Sequence, residues 1–272
     1  MLKTTEILPF RGIGFNPQKI DHLADVITPP FDVISPAEQH AFYDRHPNNI
    51  VRLIRGKATE YDTRQQNPHT RAARHFQEWL SEGILVQDSM PAVYLTTLDF
   101  DFEGRRVTRY GAILLVRLHP FEAGVVLPHE KTFTNVKSER LSLMKACHAN
   151  FSPIFSMTAD DKGRCLEQIR SLTTFQPPAF QFDDHQGFRH RLWRITETDR
   201  IEGIAGAVGG RPLYIADGHH RYETALNYRN WLSETDPGFN DNHPANYVMM
   251  YLCSMRDPGL IIRPAHRVNS CL

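Results

Sequence analysis

No excess of charge of either sign is present in the sequence: 31 Lys and Arg residues balance 31 Asp and Glu. No global field therefore draws the chain to nucleic acid or to an acidic membrane surface, and any basic patch has to be local. Long apolar runs are missing as well. The run Ala112 to Val116 falls far short of the roughly 20 residues that a membrane helix needs. The four cysteines, Cys147, Cys165, Cys253 and Cys271, form no C-x-x-C pair and no zinc-ligand spacing. Near the N-terminus, Lys3 and Glu6 are not followed by the apolar core of a signal segment. Together these absences predict a reduced, cytoplasmic protein with no membrane association. There is no G-x-S-x-G elbow and no P-loop, which excludes the common acyl-transfer and nucleoside-triphosphatase designs. Gly203, Gly206, Gly209 and Gly210 have the wrong spacing for a dinucleotide fingerprint. Internal repeats and low-complexity linkers are also lacking.

What is present, across 272 residues, is enough for one large core or two modest ones. The opening segment alternates short apolar runs with proline turns and reads as ordered loop and short strands. Ser35-Pro36-Ala37-Glu38 carries the signature of a helix start, so a helix is expected to about Arg45. Asn49 to Ile54 reads as a strand. Pro68 to Glu82 reads as a helix with Ala72, Phe76, Trp79 and Leu80 on one stripe. Val93 to Phe102 and Arg106 to Leu118 form a hairpin around Glu103-Gly104. Helices are expected over Ser138–His148 and Asp199–Val208, and strands over Ser152–Met157, His190–Ile195 and Arg211–Ile215. The fold class is α+β, with mixed sheets, packed helices and a C-terminal β-α-β-turn-α unit. A boundary at Pro177-Pro178 divides an N-terminal α+β segment, 1–176, from that unit, 177–272.

The most informative stretch is Arg211 to Arg221. Leu213, Tyr214 and Ile215 are β-prone, and Gly218 supplies a tight turn. Tyr222, Ala225, Leu226, Arg229 and Leu232 then recur at helical spacing. A helix start offers unpaired N–H groups and the positive end of the peptide dipoles, so an anion is stabilised there. His219, His220 and Arg221 add to that preference. The plain alternative is that Asp217 caps the helix while the histidines pack nearby. A second constellation is Leu127 to Thr132, with Glu130 and His129 as candidate bases and Lys131, Lys137 and Arg140 as candidate phosphate-holding cations. A solvated, charge-balanced loop would look the same. Residue 133 is Phe where an H-E-x-x-H zinc motif needs its second histidine. A third candidate is Thr28-Pro29-Pro30-Phe31-Asp32, a stiffened loop whose Asp32 is placed to hold Mg²⁺ or a substrate group, or simply to cap a turn. Arg263 to Arg267 adds cations near the end of the chain.

PFRGI, PPFDVI, NIVRL, LPHEKT, ANFSPIF, HRLW and ADGHHRYETAL occur in this order from Pro9 to Arg267. In this the chain resembles the bacterial and archaeal family catalogued as domain of unknown function 1015. Members of that family continue past the segment corresponding to Arg263–Val268, so the resemblance implies a shortened C-terminal part here. More locally, the Asp217-to-Arg221 turn resembles the phosphate-contacting turn of the ParB and sulfiredoxin superfamily, which includes an ADP-dependent free-serine kinase. That resemblance implies that Gly218, His219, His220 and Arg221 hold nucleotide phosphates while Asp217 orients them. The helix-turn-helix that partition-type ParB proteins use on DNA has no counterpart in this neutral chain.

These readings predict a small-metabolite phosphotransferase or phosphate-ester enzyme using ADP or ATP with Mg²⁺. Glu130, His129 and Asp217 are the expected catalytic groups. Gly218, His219, His220, Arg221, Lys131 and Arg140 are expected to hold the nucleotide, Asp32 and Arg11 the substrate, and Asp217 and Asp32 the metal. Phosphoryl transfer needs positioning and charge neutralisation more than a protein nucleophile. Two alternatives stay open: a metal-dependent hydrolase built on His129, His219, His220 and Asp217, and a nucleotide-sensing module without turnover.

Overall fold

The structure is a computed structural model that describes residues 4–130 and 134–263, leaving the side chains of 134–138 aside. The N-terminal part builds β1 (Ile7–Leu8), β2 (Ile13–Phe15), α1 (Leu23–Val26), a 3-10 turn at Phe31–Val33, α2 (Pro36–Arg45), α3 (Val51–Ile54), α4 (Pro68–Ser81) and β3 (Leu85–Gln87). Helix α2 starts where its sequence requires. Ser35 accepts from the Glu38 N–H, the Glu38 carboxylate accepts from the Ser35 N–H, and Pro36 occupies the first turn. Asn67 caps α4 in the same way, and Ala72, Phe76 and Trp79 on its inner stripe are buried.

The strand expected over Asn49–Ile54 is instead a short helix. The Asn49 carboxamide oxygen accepts from the Val51 N–H at 3.0 Å, and Arg55 N–H then donates to Val51 O at 2.8 Å, so a side-chain cap turns the segment into α3. A short apolar run carries no periodicity to distinguish the two outcomes. Strands β2 and β3 pair as a separate two-stranded ribbon.

The remaining elements are β4 (Val93–Phe102), β5 (Arg105–Arg117), β6 (Val126–Leu127), α5 (Thr134–Cys147), β7 (Ile154–Thr158), α6 (Arg164–Thr174), β8 (Phe180–Asp183), β9 (Arg189–Ile195), α7 (Thr198–Val208), β10 (Leu213–Asp217), α8 (His219–Thr235) and β11 (Tyr247–Ser254). They form one mixed sheet in the order β6-β10-β7-β11-β5-β4-β9-β8, with β1 also pairing β5. The fold is α+β. Strands from both sides of residues 176 and 177 interleave in this sheet, since β9 pairs β4 and β10 pairs β7. The β9-α7-β10-turn-α8 unit is present in chain order, but β7, β11, β5 and β4 lie between its two strands.

Alternation along the strands sorts the side chains. Leu95, Leu114, Ile154, Trp193, Leu213, Ile215 and Met250 point to one face, where they pack with Ile169, Ile204 and Tyr222. Tyr222 is fully buried; its hydroxyl accepts from the His119 N–H at 3.1 Å and donates to His119 O at 2.8 Å. Its ring stacks on Phe121 with centroids 5.1 Å apart. These contacts fix α8 against the segment leading into β6. A second core joins Ile34, Phe42, Leu53, Phe76 and Trp79 in the N-terminal helical layer.

Candidate functional site

Strands β6 and β10 are neighbours and parallel, with Leu213 opposite Val126 and Tyr214 opposite Leu127. Their carboxyl ends therefore open on the same side, the place where sheets with parallel strands receive ligands. Leaving β6, the chain runs through Pro128 to His129 and Glu130; leaving β10, it runs through Gly218 into His219 and α8. The two constellations, ninety residues apart in the chain, meet here, with His129 N–H donating to His219 Nε2 at 3.2 Å.

The hydrogen bonds fix where the protons sit. His129 Nδ1 lies 2.8 Å from the carbonyl oxygen of Ile215, next to a β-bulge in the β10–β7 ladder. A carbonyl only accepts, so Nδ1 carries the hydrogen, and in the neutral ring Nε2 keeps the lone pair. His219 Nε2 accepts the His129 amide, so in the neutral ring its hydrogen is on Nδ1. The Glu130 carboxylate lies 3.0 Å from that Nδ1, outside hydrogen-bonding geometry. The two imidazoles meet edge to face, with centroids 4.5 Å apart and planes at 88°. The His219 side chain is 0% exposed and that of Glu130 54%. Burial holds the His219 pKa below its ordinary value, outweighing the carboxylates of Glu130 and Asp217 that pull it upward. His219 is thus a neutral buried imidazole, and His129 an exposed ring held through Nδ1 by Ile215 O.

Candidate ligand atoms of His129, Glu130 and His219 lie within 4.8 Å of one another, close enough in distance for a metal ion. The donor set does not fit one. A metal-bound histidine normally donates through its second nitrogen. Here His219 would bind through Nδ1 while Nε2 accepts an N–H, which demands an imidazolate. Neither His220 nor Asp217 belongs to a metal-capable group of three among the described residues.

Arg221 and Asp217 are turned toward each other. The Arg221 guanidinium donates to the Asp217 carboxylate and to the carbonyl of Pro153, and its side chain is 13% exposed. It closes over Gly218, whose φ is +98° and whose Cβ, if added, would stand 3.0 Å from the guanidinium. Arg221 therefore ties the turn to the loop before β7. Asp217 does not cap the helix, because no side chain caps α8. His220 is half-buried, and successive helical residues diverge by about 100°, so it does not share the direction of His219.

The other predicted residues lie elsewhere. Arg140, on α5, donates to Ile54 O at 2.8 Å, pairs with Glu139 and stacks 3.9 Å over the Phe31 ring. Asp32, in the adjoining 3-10 turn, is exposed. Arg11 donates through Nε to Asp88 O at 2.7 Å, beside Tyr94 of β4. That is four strand steps from β10, roughly 19 Å of sheet. Lys131 and His266 lie outside the described residues, as do the side chain of Lys137 and the rest of 264–267. The orienting carbonyl of Ile215 escapes sequence reading, because a backbone group has no residue signature. The three cysteines among the described residues are buried, which pushes the thiol of Cys147 up to about 11 and those of Cys165 and Cys253 up to about 12, away from the thiolate a nucleophile needs. Among the described residues no helix is long and apolar enough to cross a membrane.

Residues 7–270 match the family described as "Protein of unknown function (DUF1015)", and the chain belongs to that family. No curated protein and no solved structure gives a match.

Proposed function

We propose, for this member of a family whose description assigns no activity, that the corner formed by His129, Glu130 and His219 is the active site of a small-metabolite phosphotransferase or phosphate-ester enzyme. The observation that carries this reading is the pair of fixed tautomers. Ile215 O and the His129 amide orient both rings, so that in the neutral His129 ring the hydrogen sits on Nδ1 and Nε2 is the base. A general base needs that combination of lone pair, fixed orientation and access.

In this reading a substrate hydroxyl gives its proton to His129 Nε2 as its oxygen attacks the terminal phosphorus of ADP or ATP, whose bond to the bridging oxygen breaks and releases AMP or ADP. Glu130 faces the Nδ1–H of His219 and takes up charge that develops at the corner. The anionic group rests on the start of α8, a 17-residue helix with no acidic residue in its first turn and no side-chain cap. The likeness of this turn to the ParB and sulfiredoxin phosphate turn supports the same placement. Arg221 and Asp217 act by holding Gly218 in its left-handed conformation. ADP or ATP would bring the phosphoryl group together with its Mg²⁺. Buried free thiols agree with a reducing, cytoplasmic setting.

Ligand-induced thermal stabilisation tests the reading. ADP or ATP with Mg²⁺ at about 100 times Kd should stabilise the protein by about 2.7 kcal/mol. The gain should persist in Glu130→Gln, while product formation from hydroxyl-bearing metabolites falls. Binding without product in the unaltered protein would assign the corner to a nucleotide sensor. Stoichiometric zinc, manganese or iron in the purified protein would reinstate metal-dependent hydrolysis.

A further inference from the structure

A second polar cluster sits at the mouth of a cavity of about 520 Å³ between the N-terminal layer and the sheet face opposite the main core. Its walls are apolar, among them Phe15, Phe76, Leu115, Phe151 and Met249. A volume of this size lies within the range of small-molecule sites, roughly 300 to 1,000 Å³. The polar end is built from three separate segments. Asp88, after β3, accepts from the Tyr94 hydroxyl at 2.7 Å and from Arg194 Nε of β9 at 2.9 Å. Arg11, before β2, donates through Nε to the Asp88 main-chain oxygen at 2.7 Å. Tyr94 is pinned in turn by the Gly12 N–H at 2.6 Å, and a Cβ at residue 12 would collide with it at 2.6 Å. The cluster is rigid before any ligand arrives.

Arg194 pairs with the Asp88 carboxylate while Arg11 holds only the Asp88 main-chain oxygen, so two guanidinium charges stand beside one carboxylate charge and one positive charge is left over. Both are fixed through Nε, and among the described residues neither uses its Nη atoms in a hydrogen bond or ion pair. Arg194 also lies 4.7 Å over the Phe180 ring, a further wall of the same cavity. Two outward donor edges beside an apolar volume match a ligand with one anionic head and a hydrophobic body.

We propose that this cavity binds an organic monocarboxylate with an aromatic or branched apolar body, its carboxylate bridging Arg11 and Arg194. The site is separate from the His129 corner and stands whether or not that corner is catalytic. The probe is 4-phenylbutyrate, with the uncharged 4-phenylbutyramide as its partner, measured by calorimetry on the full chain. The acid should bind at least about 10-fold tighter than the amide, the weight of a hydrogen bond to a charged group. Arg11→Leu, on an exposed segment, should remove most of that difference. Leu115→Phe should block both compounds by filling the volume, whereas His129→Gln should change neither affinity. Equal binding of acid and amide by the unaltered protein, absence of binding by either, or undiminished binding by Leu115→Phe would overturn the proposal.

Discussion

At the carboxyl ends of β6 and β10, backbone groups orient two imidazoles; at the Asp88 cluster, a carboxylate and a main-chain oxygen hold two guanidiniums and leave a positive charge over. The first arrangement fixes protons, since Ile215 O and the His129 N–H decide which nitrogen of each ring is bare. The second fixes charge, since Arg11 and Arg194 are held through Nε only. Both clusters are rich in polar side chains. Under the two proposals, the first cluster moves a proton beside the anion-holding start of α8, and the second offers its net positive charge to an organic carboxylate. Arg221 combines both within a single turn, its guanidinium paired with the Asp217 carboxylate and with Pro153 O.

The comparison breaks most directly at the exposed bases. His129→Gln and Glu130→Gln should each lower phosphoryl-transfer turnover by about 10² to 10⁴-fold, while thermal unfolding stays close to that of the unaltered protein. Arg11→Leu should leave turnover alone. Next in size is His219→Leu, which leaves the His129 amide without its acceptor and should cost about 1–3 kcal/mol in denaturant unfolding. Gly218→Ala forces an L-residue into the left-handed region against the Arg221 guanidinium. A loss of about 1–2 kcal/mol is expected, and an unchanged midpoint would show that the turn is not held as described.

Acid should expose the neutral histidine. Because burial lowers the His219 pKa, the unfolded chain binds this proton more readily than the folded one. Stability is then full above the ordinary histidine pKa, about 6.5, and is lost as pH falls through it toward the lowered folded value. His69, half-buried with its pKa lowered by desolvation, contributes with the same sign. Urea midpoints between pH 7.5 and 5 should fall for the unaltered protein and fall less for His219→Gln and for His69→Gln. The smallest effect belongs to Asp217→Asn. Asp217 is half exposed, so loss of its pair should cost under about 1 kcal/mol.

Much of this site is legible in the sequence. Gly218 between β-prone Leu213–Ile215 and a helical stripe announces the strand-turn-helix, and the observed β10 and α8 follow it within two residues. The capping box at Ser35 and the hairpin at Glu103-Gly104 are equally plain, because local chemistry decides them. What the sequence hides is non-local or made of backbone. Nothing in residues 120–130 says that His129 will meet His219, since a two-residue strand, β6, brings them together. Arg221 and Arg140 read as anion holders until their carbonyl partners, Pro153 O and Ile54 O, are visible. Asn49 reads as part of a strand until its side chain caps α3.

The most direct test needs no ligand. Long-range ¹H–¹⁵N correlation NMR of the imidazoles at pH 7.5 should show both His129 and His219 as neutral rings protonated at Nδ1 and bare at Nε2. An Nε2-protonated His129, or a His219 imidazolium at that pH, would contradict the assignment of His129 Nε2 as the base.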